Sequence, residues 1–172
     1  MAHELGGRVW ILPDNIDTGQ ILPHAALEAL DSAAARERLF EEVCPGLASR
    51  IEPGDILWAG EGFGQGSSRE DAARCIHELG VRLVLAHSFA RIFYRNAINI
   101  GLPVAVGHRG DTRDGDELQV NLVTGETRNL TRDLKLAVTP VPSTIRPILA
   151  EGGLIPYIRR HGRLTSTEDG RS

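Results

Sequence analysis

Residues 55–70 read Asp55-Ile56-Leu57-Trp58-Ala59-Gly60-Glu61-Gly62-Phe63-Gly64-Gln65-Gly66-Ser67-Ser68-Arg69-Glu70. The apolar run, turned in by Pro53-Gly54, predicts a strand; Gly60 to Gly66 predicts a glycine-rich loop; Ser68 to Leu79, closed by Gly80, predicts a helix. Downstream, Leu83-Val84-Leu85-Ala86 is a short, wholly apolar strand of the kind covered on both faces. Ser88 is placed to cap a second helix, Phe89 to Ile98, ending at Asn99-Ile100-Gly101, and Leu102 to Val106 forms the next strand. Strand–helix–strand–helix–strand at these spacings predicts parallel strands joined by right-handed crossovers, with Val104–Val106 beside Leu83–Ala86.

Upstream, Arg8 to Leu12 reads as a first strand stopped by Pro13-Asp14-Asn15, and Ile16 to Leu22 as a second extended piece ending at Pro23. Asp31 or Ser32 to Val43 reads as a helix, stopped by Pro45-Gly46. After Gly107, Leu118 to Val123 and Glu126 to Leu130 flank Thr124-Gly125 as a β-hairpin, and Thr144–Leu149 and Leu154–Arg160 read as short helical turns. With no internal repeat or linker, residues 1–164 are expected to be one domain, with a polar, disordered tail over 165–172.

At 172 residues and 41% hydrophobic, the chain has enough apolar side chains for one real core. A net charge of −4 gives no general attraction to nucleic acid or anionic membranes, and no apolar run is long enough to span a bilayer. The start lacks a basic segment followed by an apolar one, so a cytoplasmic protein is expected. Cys44 and Cys75 are too few to complete a structural zinc site or an iron–sulfur cluster, and read as reduced thiols; no metal site is expected.

The loop carries the chemistry. Four glycines within seven residues let the backbone take positive φ and come close to a ligand, and the loop leads into a helix N-terminus. An anion is the natural guest, with the Ser67 and Ser68 hydroxyls and the Arg69 guanidinium suited to a carboxylate. Ser67-Ser68-Arg69-Glu70 is equally a capping box, with Ser67 as N-cap and Glu70 reaching back, and spacing alone leaves both readings open. A nucleotide loop is disfavoured: the glycines do not give G-x-G-x-x-G, and no Lys follows as in a P-loop.

Gly64-Gln65-Gly66-Ser67-Ser68-Arg69-Glu70 after a Gly54-Asp55-Ile56 strand resembles the signature of the aconitase swivelling domain, in particular the small subunits of 3-isopropylmalate dehydratase and related homoaconitase-type enzymes. Supporting segments are Asp14-Asn15-Ile16-Asp17-Thr18 with Ile21-Leu22-Pro23, Ala86 to Leu102-Pro103, and Ile148 to Tyr157; the stretch 31–45 and the last ten residues carry no such match. The resemblance implies an aconitase-like swivelling β/β/α domain, α/β in class, with a mostly parallel central sheet flanked by helices. It implies a hydro-lyase subunit that dehydrates and rehydrates a small hydroxy di- or tricarboxylate, such as 3-isopropylmalate or a related 2-alkylmalate. Activity then requires an iron–sulfur large subunit, in a heterodimer or heterotetramer, whose [4Fe-4S] cluster acts as the Lewis acid.

On the same resemblance Ser67 is the base that takes the Cα proton, its hydroxyl acidified by loop amides, the helix N-terminus and Arg69. Ser68, Arg69 and Gly66 hold a substrate carboxylate. His24 and Ala26 shape the variable end of the pocket, Ala26 standing where relatives carry a tyrosine, which predicts a substrate other than 3-isopropylmalate. Gly19 stands where the family has the second aspartate of Asp-Thr-Asp, a carboxylate that orients a catalytic histidine of the partner domain. That departure favours the rival expectation, a non-catalytic anion-binding or regulatory module, whereas intact Ser67-Ser68-Arg69 favours the enzyme. Phe89, Ile92 and Phe93 are expected to pack on the sheet, Arg91, Arg95 and Asn96 to fix loops or the subunit contact, and His77, His87 and His108 to be ordinary histidines.

Overall fold

The computed structural model describes residues 4–23, 32–66 and 70–162. Among them, four apolar-rich segments build one half of a seven-stranded sheet: β1 (Glu4–Ile11), β2 (Ile56–Ala59), β3 (Leu83–Ala86) and β4 (Val104–Val106), in the order β4-β3-β2-β1 and all parallel. The other half, β5 (Glu117–Asn121), β6 (Glu126–Asn129) and β7 (Leu134–Ala137), continues from β1 in a wholly antiparallel meander. The sheet is therefore α/β and helix-flanked as expected, but with three parallel and three antiparallel pairings rather than mostly parallel. The physical reason lies in the connections. Glycine-terminated helices cross over between β2, β3 and β4, whereas Thr124-Gly125 folds the chain back tightly and a further strand, β7, pairs with the hairpin the sequence showed.

The two ends of the sheet meet. Gly107, just past β4, forms an antiparallel bridge with Val138, just past β7, and the Thr139 N–H donates to the Val106 carbonyl at 2.6 Å. Curling gives each central strand two buried faces. Ile56 and Trp58 of β2 and Leu83 and Leu85 of β3 point into one core with Val9, Leu118 and Val120. Their alternates Leu57, Ala59, Val84 and Ala86 point into a second core under the helices, with Ile76 and Phe93. This is why both strands are apolar at every position, while β6, buried on one face, alternates exposed and buried.

The helices are α1 (Thr18–Ile21), α2 (Ser32–Glu37), α3 (Leu47–Arg50), α4 (Glu70–Glu78), α5 (Arg91–Ile100), α6 (Arg146–Ala150) and α7 (Leu154–His161). Three departures from the sequence reading have identifiable causes. Residues 18–21 are helical rather than extended, because Asp17 and Gln20 form a reciprocal cap: the Gln20 N–H donates to Asp17 Oδ1 at 2.8 Å, and the Asp17 N–H to Gln20 Oε1 at 3.0 Å. The expected helix to Val43 ends early, because Phe40 takes φ 61° and turns its N–H to the Ile21 carbonyl. Ser88 does not cap α5; Ala90 holds that position, and the Ser88 hydroxyl serves the glycine loop instead. The expected tail over 165–172 lies outside the described residues.

Buried Asp116 secures the antiparallel half: its Oδ2 accepts from Asn129 Nδ2 at 2.8 Å, the Arg113 N–H at 2.9 Å and Arg132 Nε at 2.6 Å. Burial pushes this carboxyl upward, but the bonds from Asn129, Arg113 and Arg132 outweigh it and hold the group below the ordinary aspartate value. A carboxyl depressed in the folded state contributes stability above its unfolded value, about 3.9, and loses it as the pH falls through the folded one. Asp116→Asn is expected to cost about 1–3 kcal/mol at neutral pH and to flatten the acid limb of stability. Urea unfolding from pH 2 to 7 checks this; a wild-type acid limb in the variant contradicts it.

Candidate active site

The Gly60–Gly66 loop leaves the C-terminal end of β2 and stays paired on both sides. On one side the Glu61 N–H donates to Asp14 Oδ1 (2.8 Å), the Asn15 N–H to the Glu61 carbonyl (2.7 Å), the Gly64 N–H to the Ile16 carbonyl (2.8 Å) and the Thr18 N–H to the Gln65 carbonyl (2.7 Å). On the other, the His87 N–H donates to the Gly60 carbonyl (3.1 Å), the Gly62 N–H to Ser88 Oγ (2.8 Å) and the Phe63 N–H to the Ser88 carbonyl (3.0 Å). Parallel bridges Asp17↔Gln65 and Phe63↔Phe89 mark the result. The order β1-β2-β3 continues beyond the strand ends as three laced loops, where open α/β sheets present their ligands.

Glycine here serves packing as well as approach. Gly64 takes φ 83°, and a Cβ on it would fall on the Phe93 ring. Phe63 is fully buried and meets Phe89 and Phe93 edge-on, with centroids 6.1 and 5.0 Å away. The loop is thus pinned by its own phenylalanine. Gly66, at φ 103°, is exposed, and a Cβ there would start 3.2 Å from Thr18 Oγ1 and 3.7 Å from Asp17 Cβ. Gly66 is the last described residue before α4, whose first turn carries Glu70 and Asp71, acidic side chains that suit a helix N-terminus.

Of the site residues expected from sequence, Gly66 is placed here; Ser67, Ser68, Arg69, His24 and Ala26 lie outside the described residues. Asp17, exposed beside Gly66 with one oxygen in the α1 cap, is the carboxylate that accompanies Gly19; a Cβ on Gly19 would start 3.1 Å from that same oxygen. Phe93 packs in the core as expected, but Ile92 stays 46% exposed at the mouth. Arg91 and Arg95 fix no loop among the described residues. Instead they line two adjoining hollows of about 440 Å³ each, one bounded by Gly66, Ala90 and Ile92, the other by His87, Ser88, Phe89 and Tyr94. Their i, i+4 spacing was the available signal. His87 is no ordinary surface histidine either: its ring sits 4.5 Å from that of His108, and its Nε2 is buried without a hydrogen-bond partner among the described residues.

The donor set does not fit an iron–sulfur cluster. The chain has two cysteines, Cys44 half-buried and Cys75 buried, both pushed upward by burial and so held as thiols. No group of His, Cys, Asp and Glu among the described residues is arranged to hold a metal ion, and no helix among them is long and apolar enough to cross a membrane.

Fold and loop together define an aconitase-type domain, and residues 45–107 match the Aconitase C-terminal domain family. The chain is 41% identical to the small subunit 2 of 3-isopropylmalate dehydratase from Archaeoglobus fulgidus, over 91% of this chain and 95% of the relative. It is 44% identical to the methanogen homoaconitase small subunit of Methanothermobacter thermautotrophicus, over 91% and 92%. The crystal structure of a 3-isopropylmalate dehydratase from Methanocaldococcus jannaschii superposes with a TM-score of 0.87 at 33% identity, covering 92% of this chain and 95% of that one. The chain belongs to the family of 3-isopropylmalate dehydratase and homoaconitase small subunits, components of aconitase-type hydro-lyases.

Proposed function

We propose that the chain supplies the proton-transfer half of a hydro-lyase site that is completed by an iron–sulfur large subunit. The observation that carries this reading is the double-laced glycine loop, which brings the backbone to Gly66 at the strand ends immediately before α4. Ser67 takes the Cα proton of a hydroxy-polycarboxylate. A serine alkoxide is tolerable only where fixed positive ends surround it, and loop amides, the start of α4 and Arg69 supply them. Ser68, Arg69 and the Gly66 amide hold a carboxylate so that the Cα–H faces Ser67; charge-assisted, two-point binding of this kind fixes orientation. Glu70 belongs to the cap. In this reading the Lewis acid on the substrate hydroxyl belongs to the large subunit, and the assembly works in the cytoplasm.

His24 and Ala26 shape the pocket end that distinguishes substrates. A relative 42% identical is named isopropylmalate/citramalate isomerase small subunit, one 44% identical homoaconitase and one 41% identical 3-isopropylmalate dehydratase. Near-equal identities therefore do not select among substrates. With Ala26 in place of tyrosine, the anaerobically assembled complex is expected to turn over a hydroxy-polycarboxylate other than 3-isopropylmalate faster than 3-isopropylmalate itself. Comparing kcat/KM across a panel of such acids checks this, and a maximum at 3-isopropylmalate contradicts it. Gly19 favours a second reading, a non-catalytic anion-binding module; zero turnover with every acid, by a complex that forms normally, selects it.

A further inference from the structure

Between the end of the glycine loop and the paired rings of His87 and His108 runs a groove whose cations have no counterpart among the described residues. Arg91 and Arg95 stand one turn apart on α5, both exposed, and neither has a hydrogen bond or ion pair among the described residues. They are shared by the two hollows: the one that includes Gly66, and the one walled by Phe89, Tyr94, Ser88 and His87. No carboxylate lines either hollow among the described residues. In the second, His87 Nε2 is buried with no hydrogen-bond partner among the described residues. Most buried polar nitrogens have one. An apolar-walled hollow of about 440 Å³ with a few convergent polar groups matches the size and character of a small-molecule site.

We infer that Arg91 and Arg95 form a second carboxylate-binding site, distinct from the Ser67–Arg69 segment, which takes a carboxylate of a small polycarboxylate. Two guanidiniums at this spacing present forked N–H donors to one carboxylate, while the apolar wall of Phe89 and Tyr94 accommodates its carbon skeleton. Naming the substrate as the occupant rests on the function proposed above. Gly66 shares the groove, so an acid captured at the arginines sits beside the loop that is to receive it. A diacid held there by one carboxylate can reach the loop with the other, so the pair favours diacids over monoacids through capture and leaves the chemical step to the loop.

The test uses the isolated full-length chain and the complex with the large subunit. Maleate is titrated into isotope-labelled chain and followed by NMR, beside crotonate, a monoacid of similar size. Saturable shifts at α5 with maleate, weakened about 10-fold or more in R91Q/R95Q and partly restored in R91K/R95K, are expected. In the complex, R91Q/R95Q is expected to raise KM about 10- to 100-fold with kcat little changed and large-subunit capture intact. Equal maleate binding by wild type and R91Q/R95Q overturns the inference. So does a variant that loses the large subunit while binding maleate normally, which makes the face a dock for an acidic protein surface. The Ser67→Ala chain keeps the maleate site in either case, so failure of the proposed base is read from turnover alone.

Discussion

Ser67→Ala is expected to lower turnover of the assembled complex by about 10²–10⁴-fold, leaving association with the large subunit and KM largely unchanged. The hydroxyl contributes little to binding a carboxylate that Ser68, Arg69 and the Gly66 amide already hold, so its loss falls on the proton-transfer step. The effect is expected in both directions of reaction, because a base in dehydration is the acid in rehydration. Exchange of the Cα hydrogen with deuterated solvent isolates the step: it should disappear in the variant along with net turnover. Retained exchange and retained turnover would remove Ser67 from the mechanism.

Gly64→Ala carries the second large effect, and it acts through the scaffold. The position combines φ 83° with a Cβ direction that runs into the Phe93 ring. A left-handed backbone costs a non-glycine residue about 1–2 kcal/mol, and forcing a methyl into a packed core costs about 1–3 kcal/mol more. Phe63 and Phe93 must part to admit it, and their contact is what pins the loop. A loss of about 2–5 kcal/mol is expected, seen as a lower urea midpoint, together with turnover reduced beyond the fraction unfolded. Wild-type stability and turnover would show that the loop is not held by this contact.

The sequence revealed the parallel half of the fold because each signal there was local. The wholly apolar Leu83–Ala86, the Gly80 and Gly101 stops and the glycine run each follow from one segment's own composition. It revealed the β5–β6 hairpin but not its attachment to β1, the added β7 or the closure of the sheet, since β7 reads only weakly as Leu134-Lys135-Leu136-Ala137 and depends on pairing with β6. The α1 cap was legible in Asp17 and Gln20 at capping-box spacing, yet Ile16, Ile21 and Leu22 made the same residues look extended. For the site, the glycine loop and its position before a helix were readable. The role of Gly64 was not: its glycine is required by Phe93, distant in sequence. That Arg91 and Arg95 have no acid partner among the described residues likewise emerges only when the chain is folded, because a partner can come from any element.

The most direct measurement is a titration of this chain into anaerobically prepared large subunit, following the absorbance of the unsaturated acid. Turnover absent from either chain alone, rising with added small subunit and levelling at equimolar ratio, is the predicted result. A large subunit whose rate is unaffected by adding this chain, under conditions where the two associate, contradicts the assignment of half the site to it.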